Sequence, residues 1–391
     1  MDEIKKKAKA LGQTCIKHRR YFHQNAETGF DVEKTTAYIW AQLQTLGYAP
    51  KRVGKNGITA EIGTGKTLLF RADIDGLPVR EKTGLPFACK TGNMHACGHD
   101  MHTAILLGVA ELLKGCEDKL TRKIRLLFQP AEELLLGAKD CIEHGVLDGV
   151  KGAVTLHVLT ATPLPVGTVI IAEGESAPSA DYFTISVKGK SCHGAVPQNG
   201  VDALAIGARI LLALDSVIAK ETPVSSRAVL TVGKMEGGSA GNVIAGETTL
   251  QGTLRCFGEP TRAFIKKRIE KISRSTANAF QGKARFFISS GCPSLVNDGG
   301  MVEFAMRALQ RGYDKEKTVL SSALGDGEKE RNGGSEDFAY IAREVPSVML
   351  ALCAGEKDKG FAYPLHHPKV DFDENALWQG VACFCALALE K

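Results

Sequence analysis

The densest group of chemically active side chains lies in the nine-residue segment Met94–His102, which holds three His, one Cys and one Asp. Cys and His are the usual protein ligands of zinc and related divalent metals. The Cys97-Gly98-His99 spacing lets two ligands converge from a sharp turn, and Asp100 can orient an imidazole. A polar turn with a helix cap is the simpler interpretation, but such turns are usually built from Ser, Asn and Gly. The segment therefore indicates a metal site.

Polar side chains also follow four apolar segments that are predicted to be strands. The segments and the groups after them are 66–71 with Asp73, 123–128 with Glu132 and Glu133, 152–156 with His157, and 347–353 with His366. Intervening helices imply a largely parallel sheet, whose ligands bind beyond the carboxyl ends of the strands. Each polar residue alone has an ordinary structural explanation. Their recurrence at the same end of predicted strands is what predicts one shared metal site.

The pattern changes between residues 179 and 290, where the predicted order of elements is β-α-β-β-α-β. This is the ferredoxin-like arrangement, and about 110 residues are enough for an independent domain. We therefore predict an α/β fold with two domains. Residues 1–178 and 291–391 form a catalytic domain with a mostly parallel central sheet, and residues 179–290 form an inserted ferredoxin-like α+β lid or dimerisation domain.

One strand of the predicted insert carries a guanidinium on its open face. Alternation places Leu254 and Cys256 towards the predicted helices and Arg255 away from them. Asn242 lies in a neighbouring Gly-rich loop, and His193 follows the first strand of the insert. A guanidinium, an amide and an imidazole together could hold a carboxylate. Ordinary solvation of these groups is the alternative.

Five residues are candidate metal ligands, namely Cys97, His99, Glu133, His157 and His366. Five exceed what one tetrahedral zinc needs, and they suit two ions that share a bridging group and a bridging water. Two such ions would lower the pKa of that water towards about 7 and polarise a substrate carbonyl. The expected chemistry is hydrolysis.

The adjacent Glu132 and Glu133 cannot play the same role. On the first turn of a helix their side chains would diverge by about 100°. One carboxylate can then ligate a metal while the other accepts a proton from the attacking water and passes it to a leaving amine. The cysteines outside the cluster have no comparable neighbours and are predicted to be buried apolar residues. They are Cys192, Cys256, Cys383 and Cys385.

The composition excludes several other classes of protein. A hydrophobic content of 44% and a charged content of 24% are ordinary for a folded globular chain. The net charge of +5 is spread without a basic block, so no nucleic-acid partner is expected. Eleven cysteines without disulfide spacing indicate a reducing compartment. No segment approaches the roughly 18 apolar residues of a membrane span, so we expect a cytoplasmic protein without a membrane partner.

Six ordered motifs resemble the amidohydrolase branch of the M20 metallopeptidase family, which includes hippurate hydrolases, N-acyl-amino-acid amidohydrolases and plant auxin-conjugate hydrolases. The motifs are Arg71–Asp75, Met94–His102, Phe128–Glu133, Leu156–Val158, Gly334–Phe338 and Leu365–Pro368. The resemblance covers nearly the whole chain. It implies a centre of two divalent ions, often manganese, zinc, nickel or cobalt, held by the five ligands above.

The resemblance also implies roles for four further residues. Glu132 is the expected general base, and His193 is expected to polarise the scissile carbonyl. Asn242 and Arg255 are expected to hold the substrate carboxylate. The resemblance leaves open whether His193 acts within its own subunit or across a homodimer formed through the inserted domain.

Three departures from the branch pattern bear on substrate identity more than on chemistry. Leu134–Leu136 stand where the branch usually has a Gly-rich run, and these bulky side chains should reshape the acyl pocket. Ser191 and Cys192 replace the usual glycines before His193, and Gln198 stands where a histidine is common.

The expected activity is hydrolysis of the amide bond of an N-acyl-amino acid, giving a carboxylic acid and a free amino acid. A metal-bound water would be the nucleophile, with Glu132 as general base and then acid. A dipeptidase or carboxypeptidase on the same scaffold is one alternative. A non-catalytic metal-binding protein is another, but metal binding alone does not require a second carboxylate beside Glu133.

Overall fold

The structure is a computed structural model that describes residues 2–324 and 334–390. The helices are α1 (Asp2–Ala10), α2 (Gly12–Gln24), α3 (Glu33–Thr45), α4 (His99–Lys114), α5 (Gly137–Glu143), α6 (Ala203–Ser216), α7 (Glu259–Ala279), α8 (Gly299–Gly312), α9 (Phe338–Glu344) and α10 (Ala376–Leu389). The strands are β1 (Lys51–Val53), β2 (Gly57–Ile62), β3 (Thr67–Asp73), β4 (Lys123–Gln129), β5 (Val150–Leu159), β6 (Val169–Ile171), β7 (Gly174–Ala177), β8 (Ser179–Lys188), β9 (Cys192–His193), β10 (Ala228–Gly237), β11 (Val243–Ile244), β12 (Glu247–Cys256), β13 (Lys283–Cys292), β14 (Leu295–Asn297), β15 (Thr318–Leu320) and β16 (Ser347–Cys353).

Contacts between residues divide the chain into two compact units. Of the residues described, 2–176, 296–324 and 337–390 belong to the first unit, and 177–295 and 334–336 belong to the second. The domain boundaries that we placed at 178/179 and 290/291 stay a prediction, because a domain is defined by whether it folds independently.

The first unit is built on an eight-stranded sheet with the order β1-β2-β4-β3-β5-β16-β6-β15. The four central strands β4, β3, β5 and β16 run parallel to one another. All seven residues of β3 are buried, as expected for a central parallel strand with both faces covered. Helix α4 packs against this strand. The predicted, mostly parallel central sheet is confirmed.

Because the four central strands are neighbours and parallel, their carboxyl ends meet at one edge of the sheet. Our prediction that β5 ends just before His157 is wrong. The strand continues to Leu159 because β16 pairs with it in parallel as far as Leu159↔Cys353. By contrast, β3 pairs with β5 only as far as Arg71↔Thr155. His157 therefore lies inside a strand that has already lost one of its two neighbours.

The second unit contains the β-α-β-β-α-β run from β8 to β13. Its four-stranded sheet has the order β10-β12-β8-β13, and all of its pairings are antiparallel. Helices α6 and α7 supply buried apolar side chains, including Ile206, Ile210, Ile265 and Ile269, to a single core with this sheet. The predicted ferredoxin-like arrangement is confirmed. A separate two-stranded ribbon pairs β9 with β11.

Across residues 2–324 and 334–390, no helix has both the length and the apolar character that crossing a bilayer requires.

Candidate metal centre

The metal-ligating segment enters α4 through a tight turn at Gly98. Gly98 has φ 90°, and a Cβ atom built on it would lie 2.4 Å from Cγ2 of Val158. Only glycine fits this position without a shift of its neighbours, because the backbone is left-handed and the space is filled. The turn places Cys97 on one side and His99, the first residue of α4, on the other.

Asp100 orients an imidazole, as expected, but the imidazole is that of His23 and not that of a candidate metal ligand. Its Oδ2 atom accepts hydrogen bonds from Nε of Arg19 at 2.9 Å and from Nδ1 of His23 at 2.8 Å. Both partners lie on α2, so this buried carboxylate ties α2 to the start of α4.

The structure brings all five candidate ligands together. Cys97 Sγ lies 3.5 Å from His157 Nε2. Glu133 Oε1 lies 3.6 Å from His366 Nε2 and 3.9 Å from His99 Nε2. The donor atoms of Cys97, His99 and His157 all fall within 4.8 Å of one another, as do those of Cys97, Glu133 and His366. Cys97 thus belongs to two overlapping groups of three.

The outer nitrogens of two of these imidazoles are held by backbone carbonyl groups. His99 Nδ1 donates to the carbonyl oxygen of Asp75, and His157 Nδ1 donates to that of Val158, both at 2.8 Å. These bonds turn the Nε2 atoms of both rings towards the cluster, where they are placed to act as ligands. This is the usual arrangement of a histidine that ligates a metal.

Two donor atoms of the cluster have no hydrogen-bond partner among the described residues. Within the part of the chain that the structure describes, His99 Nε2 and Glu133 Oε1 are buried and make no hydrogen bond. Buried polar atoms are nearly always satisfied, and each exception calls for an explanation. A divalent cation would satisfy both atoms, and thiolate, imidazole and carboxylate are the donors that zinc and its neighbours accept. The residues present therefore fit a metal centre.

Three of the candidate ligands have pKa values shifted in the direction that favours their neutral forms. Burial raises the pKa of Glu133 to about 7, and it raises the pKa of the Cys97 thiol well above its usual range. Burial also lowers the pKa of His157 to about 3, which keeps its imidazole neutral. A bound cation would reverse the first two shifts, because it favours the anionic forms of both ligands.

Glu132 and Glu133 lie in a turn that precedes α5, so our expectation that they form the first turn of a helix is wrong. Leu135, two residues further on, has a φ of 57°, and α5 begins only at Gly137. The turn is fixed by Asp75, whose Oδ1 and Oδ2 accept from the backbone N–H groups of Glu132 at 3.0 Å and Glu133 at 3.3 Å.

The two glutamates nevertheless have different surroundings. Glu133 points its Oε1 atom at His366 and His99. Glu132 Oε1 accepts a hydrogen bond from the backbone N–H of Asp337 at 3.4 Å, and its Oε2 atom lies 3.9 Å from His99 Nε2. Glu132 is thus buried at the side of the cluster, close enough to exchange a proton there.

The adjacent His366 and His367 also separate clearly. His366, with φ 67°, is anchored by its backbone N–H to the carbonyl oxygen of Ala96 at 2.8 Å, which brings its ring to Glu133. His367 turns away, because its ring stacks on Tyr363 with centroids 4.4 Å apart and its Nδ1 accepts from the N–H of Lys369.

Three predicted site residues belong to the second unit. His193 on β9 pairs with Val243 on β11, and Asn242, which precedes β11, accepts from the backbone N–H of Gly194 at 2.7 Å. Arg255 lies on β12 in the four-stranded sheet, between the buried Leu254 and Cys256. The structure thus brings His193 and Asn242 together, and it places Arg255 on a different sheet of that unit.

Of the residues that support the cluster, Asp73 was predicted only as one polar group of the shared metal site, and Arg71 and Asp337 were given no role. Arg71 donates to Asp73 Oδ2 and to Asp337 Oδ1, at 2.7 Å in both cases. These residues, together with Asp75 and His102, all lie inside the sequence motifs given above. Membership of a motif was therefore the feature of the sequence that could have identified them. One prediction about cysteines is also wrong: Cys192 is only half-buried, whereas Cys256, Cys383 and Cys385 are buried as expected.

Residues 69–390 match the peptidase family M20/M25/M40, and the chain belongs to this family. Among curated relatives, N-acetyl-L-cysteine deacetylase of Bacillus subtilis is 37% identical over 372 residues, which cover 94% of this chain and 85% of the relative. N-acyl-L-amino acid amidohydrolase of Geobacillus stearothermophilus is 35% identical over 302 residues, which cover 76% of this chain and 81% of the relative.

Solved structures show the same similarity. The Bacillus subtilis YXEP protein, described as a dinuclear metal binding peptidase from the M20 family, superposes with a TM-score of 0.80 at 32% identity. The superposition covers 97% of this chain and 98% of that chain. The predicted resemblance to the family is confirmed.

Proposed function

We propose that the protein is a metal-dependent amidohydrolase that cleaves the amide bond of N-acyl-amino acids to a carboxylic acid and a free amino acid. The observation that carries this proposal is the cluster of five donors with two unsatisfied buried atoms, His99 Nε2 and Glu133 Oε1, beside the separate carboxylate of Glu132. The relatives named as a deacetylase and an amidohydrolase of N-acyl-amino acids support the substrate class.

The proposed cofactor is a pair of divalent ions, Mn²⁺, Zn²⁺, Co²⁺ or Ni²⁺. Cys97, His99, Glu133, His157 and His366 would hold them, and the relative described as dinuclear supports the number. When bound, the ions lower the pKa of water and polarise the substrate carbonyl. The chemical softness of the ligands does not by itself select one ion, because the coordination geometry and the availability of each metal in the cell also decide which metal a site binds.

Glu132 is the proposed proton carrier. Its Oε1 atom is oriented by the N–H of Asp337 and its backbone by Asp75, so the carboxylate is held in place beside the ligands. It accepts a proton from the attacking water and returns it to the nitrogen of the leaving amine. Metal binding alone would need no such group, which is why we favour an enzyme over a non-catalytic metal-binding protein.

His193 is the proposed donor to the scissile carbonyl oxygen. Its Nδ1 atom accepts a hydrogen bond from the backbone N–H of Ala195 at 3.0 Å. A neutral ring must then carry its proton on Nε2, which leaves that atom able to donate to a developing oxyanion. We propose Asn242 and Arg255 as the groups that hold the substrate carboxylate, because both can donate hydrogen bonds to it.

A substrate panel tests the activity. The metal-loaded protein is assayed with N-acetyl- and longer N-acyl-amino acids, with the matching N-acyl amines that lack the carboxylate, and with dipeptides. We expect the N-acyl-amino acids to be cleaved fastest and the metal-stripped protein to be inactive. Faster cleavage of dipeptides would favour the peptidase alternative. No hydrolysis of any substrate by metal-loaded protein would favour the non-catalytic one.

Whether His193 acts across a homodimer formed through the inserted domain is tested by mixing two variants that we expect to be inactive. Glu132→Gln and His193→Ala proteins are unfolded together, refolded, and assayed. If His193 serves the site of its partner, a mixed dimer has one complete site and activity returns. If His193 serves its own subunit, every site stays incomplete and the mixture stays inactive.

We also propose a reducing, cytoplasmic location. All eleven cysteines are unpaired, and most are buried. The protein can be denatured as soon as its host cells are lysed and its thiols titrated. We expect every cysteine to react as a free thiol.

A further inference from the structure

His102 closes the metal-ligating segment, but neither of its ring nitrogens is available to a metal. Its Nδ1 atom donates to Asp73 Oδ1 at 2.5 Å, and its Nε2 atom accepts from the backbone N–H of Val158 at 2.8 Å. Asp73 is itself held by Arg71, whose Nη1 atom donates to Asp73 Oδ2 at 2.7 Å. A carboxylate only accepts and a peptide N–H only donates, so His102 is the neutral Nδ1–H tautomer.

The bond to Val158 acts at a weak point of β5. The pairing with β3 ends at Thr155, so the N–H of Val158 lies beyond the last residue pair of these two strands. His102 supplies the acceptor there in place of a strand. An unpaired buried N–H would cost a lost hydrogen bond and would loosen the strand at this point.

Val158 also determines the orientation of His157. Its carbonyl oxygen accepts from His157 Nδ1 at 2.8 Å, so Nε2 is the atom that lies 3.5 Å from Cys97 Sγ. The rings of His102 and His157 lie edge to face, with centroids 4.6 Å apart. A continuous chain of contacts therefore runs from Asp73 through His102 to the backbone of Val158 and on to the ring of His157.

We propose that His102 is a positioning residue: by holding the end of β5, it makes His157 present Nε2 to the metal centre. This inference rests on the proposed function, because it takes His157 to be a ligand. Outer contacts of this kind commonly change metal affinity by about 10- to 100-fold when they are removed. His102 would thus contribute to metal binding without touching the metal.

Two amide variants separate the two hydrogen bonds of His102. In His102→Asn the side-chain amide can take the place of Nδ1, so the bond to Asp73 remains and the acceptor for Val158 is lost. In His102→Gln the amide reaches the position of Nε2 and can restore that acceptor. The matched control is His18→Asn, which removes a buried imidazole on α2 that bonds to Tyr38.

The readout is the dissociation constant for Zn²⁺ or Co²⁺, measured on apo protein by competition with a chelator and expressed per folded molecule. We expect His102→Asn to bind roughly 10- to 100-fold more weakly than wild type, His102→Gln to recover most of the loss, and His18→Asn to bind normally. The visible spectrum of the Co²⁺ protein should change in the Asn variant, because a displaced His157 alters the ligand set.

The outcomes distinguish this inference from the proposed function. If His157→Ala weakens Co²⁺ binding but His102→Asn binds as wild type does, the positioning role is wrong and the metal centre stands. Equal losses in the Asn and Gln variants would also overturn the role, since the acceptor for Val158 would then be irrelevant. If wild-type protein binds neither ion, the proposed function itself is wrong.

Discussion

The Oδ1 atom of Asp75 accepts a hydrogen bond from the backbone N–H of Glu132 at 3.0 Å. Asp75 lies two residues beyond β3, and Glu132 lies three residues beyond β4. The bond therefore joins the segments that follow two neighbouring parallel strands. It sets the direction in which the side chain of Glu132 leaves the backbone. It therefore also sets the position of the carboxylate that we propose as the proton carrier.

Replacing Glu132 with Gln should lower kcat by roughly 10² to 10⁴ or more, because the isosteric amide cannot accept the proton of the attacking water. Metal content, measured by elemental analysis, should stay near that of wild type, since Glu133 Oε1 lies close to both His366 and His99, whereas Glu132 Oε1 is held by the backbone N–H of Asp337. Were Glu132 only a structural residue, turnover would be nearly intact. Joint loss of metal and activity would mean that the roles of the two glutamates are exchanged.

Replacing His366 with Ala should remove part of the bound metal, whereas His367→Ala should keep it. His366 Nε2 lies 3.6 Å from Glu133 Oε1, while His367 is committed to Tyr363 and the backbone of Lys369. Metal stoichiometry of the two purified variants gives the answer, and each serves as the control for the other. The reverse result would overturn the assignment.

His23 should make the folded state less stable as the pH rises towards 9. Burial opposes its protonation, but hydrogen bonds to Asp100 and Glu81 raise the pKa of the folded-state imidazole to about 9, against about 6.5 in the unfolded chain. The stabilisation is complete below about pH 6.5, and it is lost as the pH rises through about 9. Its upper limit is on the order of 3 kcal/mol.

Urea unfolding of wild type and His23→Gln between pH 6 and pH 9.5 measures this effect. The difference in unfolding free energy between the two proteins should be largest near pH 6 and should shrink towards pH 9.5. A difference that does not vary over this range would show that His23 is not the group responsible.

Leu134 should set the preference for the acyl group. It follows Glu133 directly, its side chain is 46% exposed, and it packs over the backbone of Gly29. Leu135 turns into the core instead, at a left-handed φ of 57° that is costly for a bulky residue. An apolar side chain held outward beside a ligand would contact the acyl chain of a substrate.

We expect Leu134→Ala to lower the ratio of kcat/KM for a long-chain acyl substrate over the acetyl substrate by about 3- to 10-fold, because each buried methylene contributes about 0.8 kcal/mol. Using a ratio cancels any general loss of activity. Leu212→Ala, at an exposed position on α6, is the control and should leave the ratio unchanged. An unchanged ratio in the Leu134 variant would show that Leu134 does not contact the acyl group.

The amino-acid sequence by itself determined which side chains gather. Cys97 and His99 are two residues apart, so their convergence needs only one turn, and His157, Glu133 and His366 follow apolar segments that read as strands. The ferredoxin-like order of the insert was equally local, because alternation and helical periodicity are properties of short segments. Hydrophobic pattern and spacing carry this information without knowledge of any distant contact.

The orientation of those side chains depends on long-range contacts that only the tertiary structure shows. Glu132 lies in a turn and not in the predicted helix because the carboxylate of Asp75, 57 residues earlier in the chain, accepts hydrogen bonds from the backbone N–H groups of Glu132 and Glu133. Asp100 binds α2 rather than a metal ligand because Arg19 and His23, about 80 residues earlier in the chain, form hydrogen bonds to its carboxylate. β5 runs past His157 because β16, from the far end of the chain, pairs with it. In each case the deciding partner is remote in sequence, and no local pattern specifies which nitrogen or oxygen atom of a residue a remote group will hold.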